Sequence, residues 1–315
     1  MKDIAQRANV SLSAVSQALR NKGTLAPETR KKIITIAEEM GYMIQEPEKQ
    51  LRLAVVCTDG SMSSSEIYNG FYEGAKNALG DSICLVAVAP SPDAFPISSI
   101  LVGAERIDGV IFFGGEVDHP ILQALLQLDV KCVVINRESS DKRVSTVSLD
   151  NHNSFYEATS HLIEHGHTGF AYVHLEPMTS WSRLRLEGCR EAIEKNKGQL
   201  RVIGLKKYAE LENKIRGIAA STTAMLAEND LVAIEILNVI RAMGMQVPGD
   251  FAIFGCDNLS IGASSKPAIS TIDVPAYRIG EIAGVLLRDL VNGDTSYGNL
   301  IVPGQLVLKE SCGCS

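Results

Sequence analysis

Three clusters of side chains have types and spacings that could do chemistry. In the first, Leu12, Ser13, Ser16, Gln17 and Arg20 recur at the spacing of one helix face, while Val15, Ala18 and Leu19 form the opposite stripe. A short helix with a small, polar, partly basic outer face has the shape to enter a DNA major groove. Gln can pair bidentately with adenine, Ser serves several bases, and Leu offers only an apolar contact such as to a thymine methyl. The same pattern also fits a helical hairpin capping a larger domain. In the second cluster, His161 and His165 stand four apart on one helical face, close to His167. No carboxylate stands nearby as a third ligand, so a metal is not expected there. The third, Cys312-Gly-Cys314, could be half of a metal site, but no second Cys or His pair lies near it in sequence. The sequence therefore predicts no metal and no cofactor. It shows no Ser-His-Asp spacing, nucleophile elbow, GxGxxG or phosphate loop, and the expectation is a protein that is not an enzyme.

The elements that must position these groups fall into two styles. Residues 1–21 read as two short helices and a tight turn. Ile4, Ala5 and Ala8 share a face, Asn9-Val10 breaks the pattern, and Ser11 is a good N-cap for the second helix. A third helix starts at Pro27 and carries Ile33, Ile36, Ala37 and Met40 on its stripe up to Gly41. Ala26 at its N-cap costs about 0.5–2 kcal/mol against Ser or Thr. Residues 43–51 are polar, contain Pro47 and read as a linker.

From Leu51 the rhythm changes to alternating apolar runs and helical patterns. Strands are predicted at 51–57, 83–89, 108–115 and 131–136, with helices at 67–79, 97–104 and 121–128. After a break at 138–146, helices follow at 154–164, 181–195, 209–221, 231–243 and 278–292. Strands are expected at 169–175, 201–205, 222–229 and 251–256, with a final strand region at 299–309. Strands hydrophobic throughout, alternating with helices, mean parallel sheets covered on both faces. Two runs of such units suggest two similar lobes. Ligands in such folds bind beyond the carboxyl ends of the strands, here in the cleft between lobes.

Composition bounds the partners. A chain of 315 residues implies two or three domains, and 45% hydrophobic with 21% charged residues marks it as globular. The net charge is −7, yet residues 1–34 hold seven Lys and Arg against two acids, a local +5 that leaves −12 for the rest. A basic head on an acidic body fits a phosphate-contacting module joined to a domain that should not stick to DNA. The seven cysteines, odd in number and scattered, point to a reducing compartment; Cys57, Cys84 and Cys132 lie in strand-like runs and read as small core residues. With no apolar signal segment and no run of transmembrane length, the expected location is the cytoplasm, with no membrane partner.

Taken in order, separate stretches of the sequence resemble the LacI/GalR (lactose-repressor) family of bacterial transcription regulators. The head matches in Lys2-Asp-Ile-Ala-Gln-Arg-Ala-Asn-Val-Ser11, Val15-Ser16, Thr29-Arg30 and Gly41-Tyr42. The body matches in Asp108-Gly-Val-Ile, Asp150-Asn151, His161-Leu-Ile-Glu-His-Gly-His167 and Arg183-Leu-Arg185-Leu-Glu-Gly188. It continues in Thr223-Ala-Met-Leu-Ala-Glu-Asn-Asp230, Val247-Pro-Gly-Asp250, Gly255-Cys-Asp-Asn258 and Ser270-Thr-Ile272. The resemblance implies an all-α helix-turn-helix DNA-binding domain and an α/β, two-lobed, periplasmic-binding-protein-like (type I) effector domain with parallel sheets. The expected boundaries are 1–45 for the head, 46–51 for a shortened hinge and 52–315 for the effector domain. Lobe 1 is expected at about 52–148 and 276–300, and lobe 2 at about 149–273 and 303–311. The implied partners are double-stranded operator DNA, a small effector and a second copy in a homodimer, with a tetramer as the further option.

The resemblance also implies residue roles. Leu12 and Ser13 would lie over base edges with Gln17 one turn on, and Ser11, Ser16, Asn21 and Thr29 would meet phosphates. The family usually has Thr and Arg where this chain has Ala14 and Gln17. The missing arginine removes a guanine-reading donor pair. In the family a hinge helix wedges leucines into the minor groove; here only Met43–Gln50 intervene, and a linker without a wedge is expected. Family pocket positions fall on Asn136, Trp181, Arg185, Asn229 and Asp257, a set suited to a polyhydroxylated ligand with a sugar face stacked on Trp181. Asp257 has a turn cap as its alternative role, Arg185 an inter-lobe salt bridge, Asn136 a plain turn, and Trp181 packing between helix and loop. The family's aromatic pair after its first strand is absent from Asp59-GSMSSSEIY, and Tyr68 reads as too deep in its helix to replace it. The expected activity is repression controlled by a sugar or sugar derivative. A purine, a sugar phosphate or a protein co-regulator stays open as effector, as does a solute-binding module without DNA function.

Overall fold

The computed structural model describes residues 1–19, 25–42, 52–57, 65–88, 107–113, 119–137, 139, 141–294 and 298–314. The expected hinge, Arg20, Asn21 and the expected helix at 97–104 lie outside them. The chain divides into two compact units, Met1–Leu51 and Arg52–Ser315.

The first unit holds α1 (Lys2–Ala8), α2 (Leu12–Leu19) and α3 (Pro27–Glu39). Ile4, Ala5 and Ala8 pack with Val15, Ala18, Ile33 and Ala37, so each helix turns one apolar stripe inward. Asn9 closes α1 in the left-handed region at φ 56°, with Asn9 N donating to Gln6 O and Val10 N to Ala5 O. Gly41, at φ 72°, closes the third helix the same way, with Gly41 N donating to Glu38 O and Tyr42 N to Ala37 O. Ala26 offers α3 no side-chain cap, and Pro27 starts the helix by its fixed φ instead.

The second unit contains two six-stranded sheets. The first runs β11-β5-β4-β3-β1-β2, from Leu53–Cys57 (β1), Ile83–Val88 (β2), Gly109–Phe113 (β3), Lys131–Ile135 (β4), Val144–Leu149 (β5) and Asn299–Val302 (β11). All its neighbours are parallel. The second runs β12-β10-β9-β8-β6-β7, from Gly169–Leu175 (β6), Gln199–Leu205 (β7), Ala224–Ala227 (β8), Ala252–Cys256 (β9), Ser270–Asp273 (β10) and Gln305–Val307 (β12). Here β12 pairs antiparallel with β10, and every other pairing is parallel.

Helices α4 (Ser65–Leu79), α5 (Pro120–Gln127) and α11 (Ala276–Val291) accompany the first sheet. Helices α6 (Asn151–Glu164), α7 (Ser180–Lys195), α8 (Leu211–Arg216), α9 (Asp230–Ala242) and α10 (Ser260–Ser264) accompany the second. Met225 and Ile253 of the second sheet pack against Val232, Ile236 and Ile240 of α9, all buried. Burying each such side chain contributes about 1.5–3 kcal/mol. The chain passes between sheets three times, at β5–α6, β10–α11 and β11–β12.

Four expectations differ from this architecture. Residues 144–149, which fall partly in the break expected at 138–146 and carry no expected strand, form β5: Ser145, Thr146 and Ser148 interrupt its apolar pattern yet are buried. Thr146 Oγ1 donates to Asn299 Oδ1 at 2.8 Å, which lets a polar strand go inside. β10 was not expected as a strand for the same reason, since Ser270 and Thr271 fill buried positions. The single helix expected at 209–221 is a 3-10 turn at Tyr208–Glu210 followed by the short α8. The final strand region at 299–309 is two strands that join different sheets around Pro303-Gly304.

Candidate functional site

In the head, α2 exposes Leu12, Ser13 and Gln17, with 48% of Leu12 accessible. Ser16 and Thr29 are half-buried. Ser11 Oγ accepts from Ala14 N at 3.1 Å and so caps α2, while its hydroxyl hydrogen can still be donated outward. The face thus offers an apolar tip, two small hydroxyls and an amide on an eight-residue helix.

In the second unit a cavity of about 550 Å³ lies where the carboxyl ends of both sheets face each other. Arg185 occupies its base from α7 and is buried to 3% exposure. Its Nε donates to Asn151 Oδ1 at 2.7 Å, and its Nη1 donates to the Glu228 carbonyl. The guanidinium carbon lies 4.5 Å from the Trp181 ring centre and 5.4 Å from that of Phe155. Burial alone opposes its charge, but Cys256, Asp257, Tyr172 and Glu228 outweigh burial and hold it protonated. Arg185 can reach Asn151 because α6 and α7 touch backbone to backbone. A Cβ on Gly188 would stand 2.0 Å from the His152 carbonyl oxygen.

Asp257 follows β9 at φ 119°, a strained conformation for a residue with a Cβ, and Asn258 follows at φ 56°. The strain is held by surrounding bonds. Asn258 Nδ2 donates to Asp273 Oδ1 at 3.0 Å, Lys309 Nζ donates to Asn258 Oδ1 at 2.9 Å, and Leu259 N donates to Asp230 Oδ2 at 2.8 Å. Burial pushes the Asp257 carboxyl up to about 7, Arg185 opposes this, and Asp230 and Glu228 add to it. Burial also raises Glu228, whose Oε1 accepts from Leu175 N at 2.9 Å and Oε2 from Ser182 Oγ at 2.7 Å.

From the first sheet, Asn136 follows β4 at φ 59°, and the buried Arg137 beside it donates from Nη1 to the Asn136 carbonyl at 2.7 Å. Tyr68 and Phe71 of α4 join Phe113 at the end of β3, with Tyr68 and Phe113 stacked at 5.3 Å. Across the two halves, Glu66 accepts from Ser260 N at 3.1 Å and from Ser260 Oγ at 2.5 Å.

Residues 1–45 match the pattern described as "Bacterial regulatory proteins, lacI family", and residues 159–312 match "Periplasmic binding protein-like domain". The chain belongs to the LacI family. A LacI-family relative, "Probable HTH-type transcriptional repressor ExuR" of Bacillus subtilis (strain 168), is 27% identical, over 99% of this chain and 97% of that protein. The transcriptional regulator CelR–cellobiose complex is similar at 25% identity and TM-score 0.74, covering 98% of each chain. The lac repressor dimer bound to operator and anti-inducer shares the fold at TM-score 0.72 and 21% identity, with the same 98% coverage. The protein is a DNA-binding transcription regulator and not an enzyme. Among its described residues no helix is long and apolar enough to cross a membrane.

Within this LacI-family body, all five expected pocket residues line the one cavity. The lining of the cavity differs from expectation in three ways. Trp181 has the Arg185 guanidinium over its ring, so at most its other face could receive a sugar. Asn229 Oδ1 accepts from Val232 N at 2.9 Å as the N-cap of α9, which leaves its Nδ2 for the cavity. Tyr68, set aside in the sequence, stands in the first turn of α4 and lines the cavity with Phe113. Its partner lies 45 residues on, and no local pattern links them. Arg137, Glu228 and Ser148 were also missed. Ser148 borders a smaller space of about 200 Å³ beside Asn136 and Trp181, and its buried hydroxyl has no hydrogen-bond partner. Asp257 provides no cap to α10: its N-cap residue Leu259 has no capping side chain, and the backbone N–H groups of Leu259 and Ser260 donate to Asp230 and Glu66 instead.

Proposed function

We propose that this regulator is a repressor that binds a palindromic operator as a homodimer and is controlled by a small polyhydroxylated effector, a sugar or sugar derivative, between its lobes. The observation that carries this reading is the cavity of about 550 Å³, which lies within the range of about 300–1,000 Å³ usual for small-ligand sites. Fixed donors from Arg185 and Asn229, an acceptor from Asp257 and the Tyr68–Phe113 stack meet in it. Such a set gives planar hydrogen bonding to hydroxyl pairs together with an apolar surface for a ring face. In the head, Leu12, Ser13 and Gln17 would read base edges, and Ser11, Ser16 and Thr29 would hold phosphates. The effector acts by binding open and closed lobe arrangements unequally; the Glu66–Ser260 bonds belong to the arrangement seen here.

The test is calorimetry of the full chain against a panel of mono- and disaccharides, sugar phosphates and purines. Anisotropy of a labelled operator duplex is read with and without each compound. One carbohydrate is expected to bind in the wild type, fail with Arg185→Ala and change operator affinity. Binding of a purine alone, or of no small molecule, overturns the carbohydrate reading. Unchanged operator affinity in a Ser13→Ala, Gln17→Ala variant overturns the assignment of the reading face.

A further inference from the structure

The fold joins two half-motifs that are 153 residues apart in the chain. His161 lies in the last turn of α6, His165 is its C-cap, and Cys314 follows the 3-10 turn Glu310–Cys312. One ligand atom from each of the three falls within 4.8 Å of the others. His161 Nε2 is 2.9 Å from Cys314 Sγ, and the two imidazole centres are 4.4 Å apart. We propose that His161, His165 and Cys314 bind a borderline-soft divalent transition ion, with zinc as the best fit and a water as the fourth ligand.

Donor chemistry supports zinc. Two imidazoles and a thiolate make a tetrahedral N and S set, whereas calcium or magnesium would want oxygens. With bonds of about 2.0–2.1 Å to nitrogen and about 2.3 Å to sulfur, a tetrahedral ion holds its ligand atoms roughly 3.3–3.6 Å apart. The three side chains therefore need to move by about an ångström. His165 Nδ1 lies 2.8 Å from the His161 carbonyl oxygen. A carbonyl can only accept, so Nδ1 carries the proton and Nε2 presents its lone pair, the tautomer in which a metal-binding histidine is held.

The segment that delivers Cys314 is fixed. Ser311 Oγ donates to Ile253 O at 2.7 Å and accepts from Ser270 N at 2.8 Å, and Gly313 turns the chain at φ 77°. Cys312 is buried behind it and donates to Lys309 O at 3.3 Å. Binding replaces one proton: the Cys314 thiol becomes a thiolate bonded to the ion, and H⁺ leaves to solvent. The ion would pin the tail to the helix whose other end holds Asn151 against Arg185.

The experiment uses the full chain, reduced with a phosphine and freed of metal, titrated with Co²⁺ and then with Zn²⁺. One Co²⁺ per chain is expected, with the intense visible bands of four-coordinate cobalt, a thiolate-to-cobalt charge-transfer band, and displacement by one equivalent of Zn²⁺. Cys314→Ser should lose the charge-transfer band, and both Cys314→Ser and His165→Gln should weaken Zn²⁺ at least tenfold. Cys312→Ser should leave the spectrum intact, and circular dichroism of each variant confirms the fold. A weak octahedral spectrum, or equal Zn²⁺ affinity in wild type and Cys314→Ser, overturns the proposal.

Discussion

The cleft wall built on β6–β10 holds most of its polar groups by bonds within itself, whereas the described part of the wall built on β1–β5 meets it mainly with rings, beside Asn136 and Arg137. Arg185, Glu228, Asp230 and Asn258 are each tied to neighbours in their own half before any ligand arrives. Tyr68, Phe71 and Phe113 pack on one another instead. A preorganised polar wall fixes orientation at little cost on binding, and an aromatic wall adds area and tolerates small changes in ligand shape. Substitutions on the polar wall should therefore alter the empty protein as well as binding, and those on the aromatic wall mainly binding.

Arg185→Ala is the largest test. It leaves Asn151 Oδ1 and the Glu228 carbonyl facing a buried void, and roughly 3–5 kcal/mol of stability should be lost in denaturant unfolding, together with ligand binding. An unfolding midpoint like that of the wild type would show that the polar wall is not self-supporting. Asp257→Asn comes next. The folded protein keeps the Asp257 proton to about pH 7, and the unfolded chain releases it near 3.8. Between those values the folded state binds more protons. The stabilisation is therefore complete below pH 3.8 and is lost as pH rises through 7. At pH 8 the asparagine variant should be more stable than wild type by up to about 4 kcal/mol, reduced by solvent screening in the cleft. Calorimetry across pH 4–8 checks both the sign and the window.

Tyr68→Ala should leave the melting temperature within a few degrees and weaken binding of the proposed carbohydrate by about 0.5–1.5 kcal/mol beyond the area lost. A large fall in stability with unchanged affinity would make the stack part of the core and end the contrast. Ser148→Ala should be the mildest change, within about 0.5 kcal/mol in stability because the hydroxyl has no partner to lose. Calorimetry with the same ligand should show a loss of about 0.5–1.5 kcal/mol if that hydroxyl meets it.

Local patterns in the sequence revealed the helices of the head and most strands of the two sheets, and the family resemblance pointed to Arg185 and Asp257 as cleft residues. What escaped is non-local. Arg185 is read easily as a cleft residue, but its acceptor Asn151 lies 34 residues upstream, and only the contact at Gly188 brings the two together. The strand at 144–149 was hidden because serine and threonine filled buried positions. The Asn229 cap could have been read, since Asn followed by Asp before an apolar run is a helix start. No local signal announced that the tail at Cys314 returns to α6.

Gly304 lies at the third passage between the sheets, and a Cβ there would meet Ile272 at 2.8 Å, Ser154 at 3.0 Å and Leu149 at 3.1 Å. Those residues belong to the other two passages or sit beside them, so the three threads form one narrow cable rather than three separate straps. A cable of that kind resists stretching far more than twisting. The missing side chain at Gly304 is what lets the three threads lie this close, so any larger residue there would spread the cable and with it the joint between the two sheets.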